Sequence, residues 1–176
     1  MIDDVKPLEG YQDPYGLLCA ILQDGTREWR VELGTDLSEE AMVWQPHPGM
    51  HSIGGIILHI VSVEISWFER FVLGLPADPE ERKITMTDET DVDEWQWPVP
   101  PRRPLSWYLE LQDRVRARIL EGIKRWPAPD TALGSGDDKI TPRWVLGHVI
   151  QHESYHGGQA VLLYRLWQLK DTAGRG

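Results

Sequence analysis

Apolar residues recur at helical spacing over four stretches of the chain. In the first, about 14 to 33, Leu17, Leu18, Ile21 and Leu22 form a stripe. Asp13 is placed to cap it, Pro14 takes the first helical position and Gly34 follows as a stop. In the second, about 52 to 73, apolar residues nearly surround the axis of "SIGGIILHIVSVEISWFERFVL", which predicts a central helix capped by Ser52. The third, about 105 to 126, sets Leu109, Val115, Ile119 and Ile123 on one side and its charges on the other, as a surface helix does. The fourth opens at "TPRW", with Thr141 as cap and Pro142 at the first position, and runs to about 169, a span of roughly 40 Å at 1.5 Å per residue.

Helices two and three are separated by an acidic, Pro-rich stretch, 74 to 104, that contains Trp95 and Trp97. A connection this long in a compact domain is usually functional, and a packed cover or interface arm is expected. No hairpin signal or internal repeat interrupts the pattern. The expected fold is an all-α four-helix bundle with a long connection between helices 2 and 3. It forms one domain over 1–176, with flexible ends at about 1–10 and 170–176.

Composition narrows the partners. A net charge of −10 argues against nucleic acid, whose binders carry basic patches. No apolar run is long enough for a bilayer, and "MIDDVKPLEG" lacks the basic and apolar regions of a signal peptide, so a cytoplasmic location is expected. The single cysteine, Cys19, lies in "YGLLCAILQ" and reads as a small core side chain. Nine tryptophans suit a core, a pocket wall or the interface of a homodimer.

The chemistry concentrates in histidines. There are six: His47, His51, His59, His148, His152 and His156. Random placement in this length gives on the order of 0.01 triples spaced four and four, so 148, 152 and 156 are not an accident of composition. Residues four apart advance about 40° around a helix, which puts the three on one face with Val145, Gln159 and Leu163. An inward stripe of imidazoles needs hydrogen-bond partners or a cation. One helix usually supplies two adjacent histidines to one ion, and bundles complete metal sites from a facing helix. His59, within the most apolar helix, is the natural partner, and His59, His152 and His156 are assigned as metal ligands. His148 becomes a pocket residue with a candidate catalytic role; His47 and His51, in a Pro/Gly loop, are expected at the surface.

The letters HESYH at 152 to 156 also match the H-E-x-x-H signature of zinc proteases. The context does not fit. A metzincin would carry Gly and His where this chain has Gln159 and Leu162, and no Glu follows Glu153 to serve as third ligand. Glu153 stays a candidate base for metal-assisted hydrolysis, with an ion pair to Arg or Lys as its alternative. Gly157 and Gly158 cost helix stability, about 1 kcal/mol each relative to Ala, and imply close packing or space for a ligand.

Through "PGMHSIGGIILHIVSVEISWF" and "TPRWVLGHVIQHESYHGGQAVLL" the chain resembles the DinB-like superfamily of bacterial four-helix proteins. That group includes thiol-dependent S-transferases and mycothiol-dependent maleylpyruvate isomerases. The resemblance implies a divalent metal held by one histidine of helix two and an HxxxH pair, positions that fall on His59, His152 and His156. It also implies a transferase or isomerase acting on a small-molecule substrate with a low-molecular-weight thiol such as mycothiol or bacillithiol. Three imidazoles suit zinc or nickel, and also iron or manganese. A non-enzymatic metal or small-ligand binder is the alternative.

Overall fold

The computed structural model describes residues 4–35, 37–90 and 96–173. It is all-α, with helices α1 (Tyr15–Leu33), α2 (Glu39–Val43), α3 (Ile53–Glu64), α4 (Pro79–Ile84), α5 (Thr87–Thr90), α6 (Leu105–Ile123) and α7 (Pro142–Ala173). A π-helical segment, Ile65–Val72, continues α3. Among the described residues no strand forms, only an isolated bridge between Leu133 and Ile140, and no helix is long and apolar enough to cross a membrane.

Local chemistry sets the helix starts. Ser52 Oγ accepts the Gly55 N–H at 3.2 Å and Thr141 Oγ1 accepts the Trp144 N–H at 3.2 Å, satisfying amide donors that have no partner within the helix. The start of α1 differs from expectation. Pro14 itself holds the cap position and no side chain caps the helix, because a tight turn bonds the Tyr15 N–H to the Gln12 carbonyl at 2.7 Å. The chain before it is fastened: the Leu8 N–H bonds to the Gly16 carbonyl at 3.1 Å, and a Cβ on Gly16 would lie 2.6 Å from the Leu8 oxygen. The outermost parts of the expected flexible ends, 1–3 and 174–176, lie outside the described residues, as does Trp95.

Cross-helix pairs give the helix directions. Along α1 and α7, Gly25 faces Ser154, Trp29 covers Gly157 and Glu32 pairs with Arg165, so these two run parallel. Along α3 and α6, Gly54 receives Tyr108, Glu64 pairs with Arg116, and Leu73 beyond the π-helical segment meets Gly122, so these are parallel as well. The histidine contacts set α3 antiparallel to α7. Because α3 and α6 are parallel neighbours, the chain must return the full length of the bundle between them, about 30 Å at 1.5 Å per residue for twenty residues. The 74–104 connection makes that return.

The core is filled by Ile53, Ile56, Ile57 and Ile60 of α3, Val115 and Ile119 of α6, and Val145 and Val149 of α7, all nearly inaccessible. Leu109, expected in the α6 stripe, is only half-buried, whereas Gln112 and Arg116 of the same helix point inward. Buried polar residues of this kind require partners. They find them beside the histidines.

Candidate metal centre

Two helices meet at the site. His59 comes from α3, whose apolar surroundings hold it half-buried, and His152 and His156 come one turn apart from α7. A ligating nitrogen from each lies within 4.8 Å of the other two. His59 Nε2 and His152 Nε2 are 3.1 Å apart. Two nitrogens each about 2.1 Å from one ion at a right angle sit about 3.0 Å apart, so this spacing fits a shared cation.

Tautomers follow from the neighbours. The His156 Nδ1–H donates to Gln159 Oε1 at 2.8 Å, which leaves the Nε2 lone pair free for a ligand. His152 departs from this arrangement, since its Nδ1 is buried with no partner. Two imidazole nitrogens facing each other, with a lone pair of His156 free beside them, make a poor hydrogen-bond network and a good donor set for a cation, so the residues present fit a divalent metal.

Electrostatics agree with that fit. Burial, with His156 and His51 nearby, pushes His59 down to about 4. Burial, with His156, His59 and His148 nearby, pushes His152 down to about 3. His156 is also lowered by burial, against the opposing effect of its bond to Gln159. All three imidazoles are therefore neutral at neutral pH, with lone pairs to offer. A folded-state value below the ordinary 6.5 means that the stability gained by burying these rings is present above that value and lost as pH falls toward about 4. The thermal midpoint of metal-free protein is expected to drop on acidification across this window, and to drop less in His59→Asn; equal slopes would refute the assignment to these rings.

Gln159 is a residue whose role the sequence left open. Gln159→Leu is expected to weaken metal binding about 10- to 100-fold, the usual effect of losing an outer partner of a metal-binding histidine, with helical content unchanged. Competition against a chromophoric chelator measures it, and an unaltered affinity would remove Gln159 from the site.

A fourth histidine joins the cluster. His51, expected at the surface, is half-buried, with its ring 4.0 Å from that of Trp97 and 6.3 Å from that of His156. Trp97 belongs to the long connection and lies over the site, 5.0 Å from His59 and 6.4 Å from His156. It is seated there by its N–H on the Gly49 carbonyl (2.7 Å) and by the Gln45 Nε2–H on its own carbonyl (2.9 Å). The indole packs over Gly55, where a Cβ would lie 3.4 Å from Trp97 Cε3, at ordinary contact distance. His51 was missed because nothing local in "QPHPGMHS" shows that a tryptophan 46 positions later folds over it. His47 is exposed, as expected.

His148 is half-buried, stacked on Trp144 with ring centroids 4.9 Å apart and 6.3 Å from His152. Glu153, the candidate base, is placed elsewhere. Its Oε1 accepts from Thr26 Oγ1 (2.6 Å), Gln112 Nε2 (3.1 Å) and Trp29 Nε1 (3.2 Å), and its Oε2 from Arg116 Nη2 (2.6 Å). The donors come from α1 and α6, 100° around α7 from His152. Arg116 also pairs with buried Glu64 through Nη2 and, at 3.0 Å, through Nε. Burial raises the Glu64 carboxyl to about 7 against the pull of Arg116. Burial alone would lower Arg116, but the two glutamates outweigh it and hold it protonated. The ion-pair alternative for Glu153 is thus the arrangement the structure contains. Glu64 had a signal in the sequence, a carboxylate set within the apolar run of the second helix.

Gly157 has no room for a side chain, because a Cβ would lie 2.5 Å from Trp29 Cδ1; Gly158 faces open space. A cavity of about 730 Å³ opens on the opposite seam, between α1 and α6, and reaches none of the histidines, so cavity size does not mark the chemistry here. The sequence profile of the DinB superfamily matches residues 25–160, which include all three convergent histidines and Gln159. The chain belongs to the DinB superfamily. No curated protein matches it. Within a DinB-superfamily chain, the buried Glu64–Arg116–Glu153 cluster ties α3, α6 and α7 together one helical turn from the histidines.

Proposed function

We propose that the chain is a divalent-metal-dependent transferase or isomerase that uses a low-molecular-weight thiol, with His59, His152 and His156 as the metal ligands. The observation that carries this reading is the convergence of three neutral imidazoles from two helices. Three protein ligands leave coordination positions open, as catalytic sites do. Zinc or nickel suits the donors, and iron or manganese is accepted by the same set. A metal bound there supplies positive charge that favours the thiolate form of a sulfhydryl beside it.

The chain's own residues assign the remaining roles. Cys19 is fully buried and burial pushes its thiol up to about 12, so the sulfur must arrive with a cofactor. The thiol gives up its proton, a C–S bond forms to the electrophile, and the electron pair of the broken bond leaves with the displaced group. In an isomerase the thiol adds and is released unchanged. Gln159 orients His156, and Trp97 with His51 excludes bulk water from one side. His148 flanks the open side as a pocket residue.

A panel of electrophiles offered with mycothiol or bacillithiol tests this. Turnover that disappears on chelation and returns with added metal is expected; no turnover across the panel, or turnover indifferent to chelation, would end the proposal. A second reading, a metal or small-ligand binder without turnover, is favoured by the cover Trp97 forms over the histidines, and it predicts metal-dependent stability with no product. Hydrolysis with Glu153 as base draws no such support, because both carboxylate oxygens are occupied.

A further inference from the structure

The metal histidines are one end of a longer aromatic seam. On α7 the four-residue spacing that gives His156, His152 and His148 continues to Trp144. On the facing element the same spacing gives His59, Val63, Trp67 and Phe71, the last two from the π-helical segment. Since α3 and α7 are antiparallel, the rows face each other, and Trp67 lies 5.2 Å from His148, 5.9 Å from Trp144 and 5.3 Å from Phe71. The contact at the far end is flat: Trp144 and His148 are stacked at 5° between planes.

Exposure adds an independent observation. Among the described residues the exposed aromatics are Phe71 (39%), Trp144 (48%) and Tyr155 (65%). Each makes a ring contact into this seam: Phe71 with Trp67, Trp144 with His148, and Tyr155 with His156. The other large rings among the described residues are at least partly buried, so the aromatic surface these leave open to water is concentrated where the histidines are. An indole packed through one face on His148 and half exposed presents its other face to a ligand. π-Helical turns also concentrate at functional sites, and this one supplies the opposite wall.

We propose that the α3–α7 seam beyond the metal is the substrate shelf, and that its ligand is a planar aromatic compound stacked on Trp144 with its reactive end toward His152. A flat π-system matches a flat indole–imidazole stack, whereas a saturated group of the same size gains only apolar contact. This inference rests on the metal-site reading for the direction of the reactive end, but the shelf itself is testable without turnover.

Titration calorimetry with 2-naphthol and its saturated analogue decahydro-2-naphthol, on the metal-loaded full chain, separates the two. Saturable one-to-one binding of 2-naphthol is expected, about tenfold tighter than the saturated analogue, the upper range for an aromatic pair. Trp144→Leu is expected to remove that preference while metal content and helical content stay at parental values; Trp107→Leu, on α6 away from the seam, is expected to keep it. Equal affinity for the two alcohols, absence of binding, or an undiminished preference in Trp144→Leu would overturn the shelf. Naphthol binding with no thiol-dependent turnover would leave the shelf in place and remove the thiol reading; thiol-dependent turnover with no preference for flat compounds would do the reverse.

Discussion

Arg116→Met is expected to destabilise the protein by about 3–5 kcal/mol, the cost of removing one member of a buried ion cluster and leaving its partners charged in the core. Among the described residues Arg116 is the one guanidinium paired with both Glu64 and Glu153, whose side chains are 0% and 2% exposed. Against a typical domain stability of roughly 5–15 kcal/mol this is a large fraction. The loss should have a pH signature. Without Arg116 the main offset to the burial that already raises Glu64 is gone, so the variant should regain stability as pH is lowered and Glu64 protonates, and lose it as pH rises. Urea unfolding from about pH 5 to 8 measures both effects. In a Glu64→Gln, Glu153→Gln background the same substitution should cost less than half as much, because no charge is stranded. A cost within about 1 kcal/mol in the parental background would show that the cluster contributes little net stability.

The second large effect is on metal content. His59→Ala and His152→Ala are each expected to lower metal affinity by more than roughly 100-fold, beyond what loss of an outer partner costs, so that purified protein carries little metal. Elemental analysis beside the parent reads this directly. His47→Ala, an exposed control outside the cluster, should leave it unchanged. Unchanged metal in both His59→Ala and His152→Ala would break the ligand assignment, and with it every catalytic reading of the site. The two predictions are coupled through the fold, since Glu153 adjoins His152 in α7 and Glu64 lies five positions after His59 in α3. A domain destabilised at Arg116 should also bind metal more weakly, because binding energy is then drawn on to hold α3 and α7 in register.

Local information fixed the parts of this molecule that depend on local forces. The 3.6-residue period and the caps at Ser52 and Thr141 determined where the long helices lie, because a helix is closed by hydrogen bonds within a few residues. The four-residue spacing of His148, His152 and His156 determined that they share a face of α7, and the need of buried imidazoles for partners pointed to His59. Four matters were decided only when the helices packed. Trp97 and His51 became part of the site because the crossover between two parallel helices carries distant residues over it. Glu153 was turned from the histidines toward Arg116 because a helix rotates its neighbours by 100°, and only the surrounding helices determine which direction is polar. Gly157 was required by Trp29, a residue of another helix. The aromatic seam exists because α3 and α7 run antiparallel, which places two rows of equal spacing opposite one another; spacing is a property of one chain segment, and opposition is a property of two.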